Sequence, residues 1–122
     1  MATDRAALGS RGEARAVEHL ASLGYQIVER NYRCREGEID VIARDGGDLV
    51  FVEVKTRRTF SCGSPAEAVG FRKQRKLVRA ARRYLVERGL GEADCRFDVA
   101  EVYFLDGLPV RVEVIKGAFS GE

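Results

Sequence analysis

Hydrophobic and polar residues recur with two different periods along the chain, and the switches between them mark out its elements. Between Ala6 and Leu23, the residues Val17, Leu20, Ala21 and then Gly24 fall at helical spacing, and Gly24 suits a helix C-terminus. Glu13 stands four residues before Val17, so it shares that stripe rather than the solvated face. Tyr25 to Tyr32 reads as a strand of modest quality. Glu38 to Ala43 and Leu49 to Val54 are the clearest strands, and Asp45-Gly46-Gly47-Asp48 between them is turn chemistry, which predicts an antiparallel hairpin. Ser64-Pro65-Ala66-Glu67 resembles a capping box with proline at the first helical position and predicts a short helical turn. The spacing of Leu77, Val78, Ala81, Tyr84 and Leu85 predicts a long amphipathic helix from Arg72 to Arg88, ended by Gly89-Leu90-Gly91. Phe97 to Phe104 and Val110 to Ile115, with a turn at Asp106-Gly107-Leu108-Pro109, predict two last strands. The order is α-β-β-β-α-β-β, an α/β fold with a mixed sheet flanked by helices.

At 122 residues, 45% hydrophobic and 33% charged, the chain suits a single domain over 1–122 with a core beneath a charged surface. That composition excludes a disordered or collagen-like chain. No apolar run approaches the ~20 residues of a membrane span. Met1 to Arg15 mixes both signs of charge without an apolar stretch, which reads against a secretory signal. Cys34, Cys62 and Cys95 are widely spaced, without a C-x-x-C, and His19 is the single histidine. A cytoplasmic protein with reduced, buried cysteines is expected, and His19 reads as a surface or packing residue.

The formal charge of +2 conceals an uneven distribution. Ten basic residues and one acid between Lys55 and Arg83 give that block +9, leaving −7 for the rest of the chain. Arg72, Arg75, Lys76, Arg79, Arg82 and Arg83 recur on one side of the long helix with no acid among them. Such crowding calls for an external anion, and a phosphate backbone suits arginine's bidentate donors. The nucleic-acid contacts this predicts are Arg57, Arg58, Arg72, Lys73, Arg75, Lys76, Arg79, Arg82 and Arg83. A solvated basic face pairing with acids elsewhere in the fold is the alternative, and Gln74 beside it is a further phosphate candidate without a spacing that demands it.

Chemistry points to the hairpin. A turn centred on Gly46-Gly47 sets Asp40 opposite Glu53, and strand alternation puts Lys55 on the side of Glu53. A one-residue slip would part the carboxylates. Adjacent carboxylates repel unless a cation lies between them, and a divalent ion both joins them and activates water against a phosphate. Lys55 then serves as a point charge beside the reacting group, and Glu13 orients a water or adds to the metal site. The alternatives are an ion-pair cluster on a solvated face, with Glu13 closing a capping box begun by Ser10.

Gly12-Glu13, Asn31-Tyr32-Arg33, Gly37-Glu38-Ile39-Asp40, the run from Phe51 to Arg57 and Arg96-Phe97-Asp98-Val99 together resemble the YraN family of uncharacterised bacterial proteins. That family is similar in turn to the Holliday-junction resolvase branch of the PD-(D/E)xK nuclease superfamily. The resemblance implies a restriction-endonuclease-like fold and a catalytic set of Glu13, Asp40, Glu53 and Lys55. It also implies Mg²⁺, or Mn²⁺ as a substitute, on Asp40 and Glu53. Ile39-Asp40 replaces the Pro-Asp of the superfamily name, a departure shared by the resolvase-like branch. Resolvases cut two strands as dimers, so a homodimer acting on DNA rather than RNA is implied, and no membrane. Two other functions stay open: a non-catalytic nucleic-acid-binding module using the basic helix, and an interaction subunit docking that helix on an acidic partner.

Overall fold

The computed structural model describes residues 4–58 and 69–121. Its elements are α1 (Asp4–Ser22), β1 (Gln26–Cys34), β2 (Gly37–Asp45), β3 (Asp48–Arg57), α2 (Phe71–Glu87), β4 (Cys95–Leu105) and β5 (Leu108–Phe119), in the expected order. The helical turn expected at Ser64–Glu67, and Cys62, lie outside the described residues. Ser10 lies inside α1, so the capping box it offered does not form.

The five strands make one sheet in chain order, antiparallel throughout except for the parallel pair β3–β4. Tight turns explain the antiparallel pairs. Gly46 has φ 61°, and Asp106 and Gly107 have φ 51° and 77°, the left-handed geometry that suits the twist of a hairpin. A parallel pair needs a crossover, and α2 lies within the one between β3 and β4.

Each face of the sheet carries one helix. On one, Leu77, Ala80, Ala81 and Tyr84 of α2 pack on Ile39, Ile42, Leu49, Phe51, Phe97 and Val99. Tyr84 meets Phe51 edge-on at 6.0 Å, and Phe51 stacks on Phe97 at 5.5 Å. On the other, Ala16 and Leu20 of α1 pack on Val41, Ala43, Val50, Val52, Ala100, Val102 and Phe104. The small Ala16 and the buried Gly12 let α1 lie close to β3.

The two ends of the sheet differ. At one, the Arg96 guanidinium holds Asp45 at 2.8 Å, Asp48 at 3.2 Å and the fully buried Asp98 at 2.8 Å. Asp98 also accepts from the Tyr25 hydroxyl at 2.7 Å and the Gly117 N–H at 3.0 Å. At the other, the β2–β3 ladder runs only as far as Val41↔Val52, while β1–β2 continues to Cys34↔Gly37 and β3–β4 to Arg57↔Tyr103. The sheet therefore forks between β2 and β3. Alternation breaks there too: Ile39 and Ile42 both face α2 while Val41 faces α1, and across from this break Asn31 of β1 has φ 54°.

The expectation of buried cysteines fails for the two described. Cys95, the first residue of β4, is exposed, and Cys34, the last of the edge strand β1, is half-buried, because both stand where a strand leaves the sheet. Among the described residues no helix is long and apolar enough to cross a membrane.

Candidate active site in the fork of the sheet

The fork gathers carboxylates from three elements. Continuing the β2–β3 register by one residue sets Asp40 across from Glu53, as the hairpin predicts. No ladder bond joins them. Instead Asp40 Oδ2 accepts the Val54 N–H at 2.8 Å, so the carboxylate is fixed by the backbone it has displaced from pairing. Glu53 lies beside it, 4% exposed, and its Oε2 receives the Lys73 ammonium of α2 at 2.7 Å.

Glu13 enters from α1, and the Asn31 side chain and the Arg30 charge near it work to lower its carboxyl. Glu38, two residues before Asp40 on β2, completes the group. Oxygens of Glu13, Glu38 and Asp40 lie within 4.8 Å of one another. The predicted pair of Asp40 and Glu53 is thus brought together, but the tight triple is Glu13, Glu38 and Asp40. Glu38 was not among the residues singled out. Its only signal was the two-residue spacing from Asp40, which on a regular strand gives a shared face but here spans the break in alternation.

The electrostatics are those of uncompensated crowding. Burial, the Glu53 charge and the Glu13 charge push the Asp40 carboxyl up to about 8 from an ordinary 3.8, against the Val54 N–H. Burial and then the Glu38 charge raise Glu13, against Arg30 and Asn31. Burial works to lower the Lys73 ammonium, but the hydrogen bond and charge of Glu53, with the charges of Asp40 and Glu38, raise it. Glu38 has one exposed partner, Arg33 at 2.7 Å. The donor set is oxygen only, without histidine or cysteine, which fits a hard divalent cation such as Mg²⁺ or Mn²⁺ rather than a softer metal.

The regular β3–β4 register keeps Lys55 on the face of Glu53, half-buried and without a hydrogen bond or ion pair to any described residue. The basic residues divide. Lys73 is engaged with Glu53, and Arg57 Nε lies 3.0 Å from Oε1 of the buried Glu101. Arg83 lies 3.6 Å from Glu36 and from Glu87, and Arg82 donates to the Gly121 carbonyl at 3.2 Å. Arg72, Arg75, Lys76 and Arg79 are exposed with no carboxylate in ion-pair range among the described residues. Arg75 lies over the Phe71 ring at 5.8 Å. Arg58 is exposed at the rim of a hollow it shares with Arg11 and Phe104. The Gln74 amide, offered as a phosphate contact, donates to the Val69 carbonyl at 2.8 Å and pins the start of α2. His19 is half-buried on α1, away from the carboxylate group.

Residues 12–102 match the model of the uncharacterised protein family UPF0102. Relatives bearing the name UPF0102 protein include one from Moorella thermoacetica, 49% identical over 120 residues, 98% of this chain and 100% of the relative. One from Geotalea uraniireducens is 48% identical over 116 residues, 95% of this chain and 91% of the relative. Another, from Caldicellulosiruptor saccharolyticus, is 45% identical over 113 residues, 92% of this chain and 96% of the relative.

Proposed function

The chain belongs to the uncharacterised protein family UPF0102, the family to which the YraN resemblance points, and within it we propose a nucleic-acid-binding protein that hydrolyses phosphodiester bonds in its carboxylate fork. The observation that carries this reading is the convergence of Glu13, Glu38, Asp40 and Glu53 at one opening of the sheet. Glu13, Glu38 and Asp40 would hold a divalent ion, with Glu53 beside them. Such an ion polarises a phosphate oxygen and makes bound water acidic. Asp40 is aimed by the Val54 N–H, so this donor is preorganised by the backbone. Lys55, on the same face as Glu53, places a point charge where negative charge grows on the phosphate.

The exposed side of α2 supplies the grip. Arg72, Arg75, Lys76 and Arg79 face solvent on the helix that also carries Lys73 into the fork. A DNA backbone lying along them passes the carboxylates. Junction-type substrates and a homodimer follow from the resemblance to resolvases.

The test is cleavage of branched and single-stranded DNA in Mg²⁺ by wild type, Asp40→Ala and Lys55→Ala. Loss of cleavage in both variants is expected, and equal activity in all three would overturn the assignment. A second reading, binding without cleavage, draws on the Lys73–Glu53 pair, which keeps one carboxylate of the fork engaged. It predicts salt-sensitive binding with no turnover in any metal.

A further inference from the structure

By sequence Lys73 belongs to the basic run of α2, yet its ammonium lies in the fork, 2.7 Å from Glu53 Oε2. The two partners are unequally placed. The Lys73 side chain is 49% exposed and can swing into solvent, whereas the Glu53 side chain is buried and fixed in the sheet. Withdrawing the ammonium alone would leave a buried carboxylate unpaired beside Asp40, which is strongly unfavourable. The ammonium therefore leaves only when another cation takes over. Turned outward it would stand between Arg72, which precedes it, and Lys76, three residues on, where like charges repel it unless a phosphate backbone offsets them.

We propose that Lys73 is the resident cation of the fork, neutralising Glu53 until a divalent ion enters and then turning out to contact the phosphate backbone of the incoming nucleic acid. The proposal rests on the metal-site reading above and adds an order to it. Metal entry frees a positive charge at the mouth of the fork, so metal and nucleic acid bind cooperatively. By linkage the effect is reciprocal, and bound nucleic acid tightens the metal.

Titration of the whole chain with Mn²⁺ alone, followed by calorimetry and by the electron-spin resonance of free Mn²⁺, tests this without any turnover. Lys73→Met keeps the aliphatic stem and removes the competitor. It should bind Mn²⁺ roughly ten-fold more tightly than wild type, the gain from no longer breaking a charge-assisted hydrogen bond. Lys73→Arg should stay near wild type, and Asp40→Asn should abolish binding. In a Glu53→Gln background, Lys73→Met should change nothing. A second measurement uses a fluorescent single-stranded DNA with Ca²⁺ in place of Mn²⁺: added metal should strengthen DNA binding by wild type several-fold more than by Lys73→Met. Circular dichroism melting checks that each variant is folded, and Lys73→Gln replaces Lys73→Met if that variant is not. Unchanged or weaker Mn²⁺ binding in the neutral variant, with Asp40→Asn still losing it, overturns the role of Lys73 and leaves the metal site standing. Absence of Mn²⁺ binding in every variant overturns both.

Discussion

Gly12 precedes the carboxylate Glu13 in the middle of α1, a position where helix propensity alone favours alanine. Glycine in a helix interior costs about 1 kcal/mol relative to alanine, so Gly12→Ala would stabilise an isolated α1 by that amount. The packing reverses the sign. A Cβ at Gly12 would stand 2.4 Å from Thr56 Oγ1, 3.3 Å from its Cγ2 and 3.4 Å from its Cβ. Comfortable contacts begin near 3.5 Å, so helix and strand must part by about 1 Å. Thr56 is β-branched and stiff at χ1, and its other atoms already stand close, so the strain falls on the helix. Overpacking of this kind costs about 1–3 kcal/mol.

Set against the propensity gain, the net loss expected for Gly12→Ala is about 1 kcal/mol, read by urea denaturation. Thr56→Ala removes the obstructing branches. The double variant should recover the loss, with a coupling of about 1 kcal/mol or more in the double-mutant cycle. The functional readout is separate. Glu13 moves out with its helix, so Mn²⁺ affinity should fall roughly ten-fold in Gly12→Ala, the order expected when one ligand of a site is displaced, and return in the double variant. A Gly12→Ala protein that gains stability, with Thr56→Ala indifferent, would refute the claim that close approach of α1 to β3 places Glu13.

Three further outcomes follow from the same structure. Burial and the Glu53 and Glu13 charges push the Asp40 carboxyl up to about 8 from 3.8, so the folded state holds the extra proton above the open chain's range and loses stability as pH rises toward that value, at up to ~1.4 kcal/mol per unit. Asp40→Asn should therefore flatten the fall in stability between pH 4 and 8 in the metal-free protein, and an unchanged profile would place the crowding elsewhere. Asp98→Ala leaves the Tyr25 hydroxyl and the Gly117 N–H without their acceptor while Arg96 keeps Asp45 and Asp48, and should cost on the order of 1–3 kcal/mol in denaturant, with Mn²⁺ affinity untouched in the folded protein. Charge reversal of Arg75 and Arg79 should lower the slope of log binding constant against log salt by about one per residue for duplex DNA. An unaltered slope would move the phosphate track off α2.

The hairpin was legible because its turn residues define a centre, and every pair from Asp45↔Asp48 to Val41↔Val52 follows from it. The fork was not. Sequence alternation places Ile39 and Val41 on one face, yet they pack on opposite faces, because Asp40 takes a backbone N–H that a regular ladder would have used. Glu38 has no partner in the sequence pattern, and its two-residue spacing from Asp40 spans the point where the strand's alternation breaks. Lys73 and Arg57 read as members of one basic patch, and only tertiary packing separates them from it, setting one on Glu53 and the other on Glu101. Likewise Arg96 and Asp98 were visible as a motif but not as the staple of the closed end. Charges distant in sequence meet there because three strands and a turn converge.

The two ends of the sheet show how this fold treats clustered acids when it acts alone. At the closed end, Asp45, Asp48 and Asp98 surround a single guanidinium, and Lys116 adds a second cation at 3.2 Å from Asp45. There the hydrogen bonds from Arg96 and Lys116 draw the Asp45 carboxyl below its ordinary range, so that acid stabilises the fold as an anion. At the fork, four carboxylates meet the Lys73 ammonium on Glu53, the exposed Arg33 guanidinium on Glu38 and the Arg30 charge near Glu13. Burial, with the Glu53 and Glu13 charges, drives the central Asp40 the opposite way, up to about 8. A sheet that supplies cations so fully at one end has the means to do so at the other. Leaving the fork short of positive charge makes the fold less stable at neutral pH, a deficit that protonating Asp40 relieves and that the proposed divalent ion would relieve as well. The opposition in sign between Asp45 and Asp40, within one hairpin, follows from burial first and charge second: Asp40 is buried beside Glu53 and Glu13, whereas Asp45 stands nearer solvent with two cations on it.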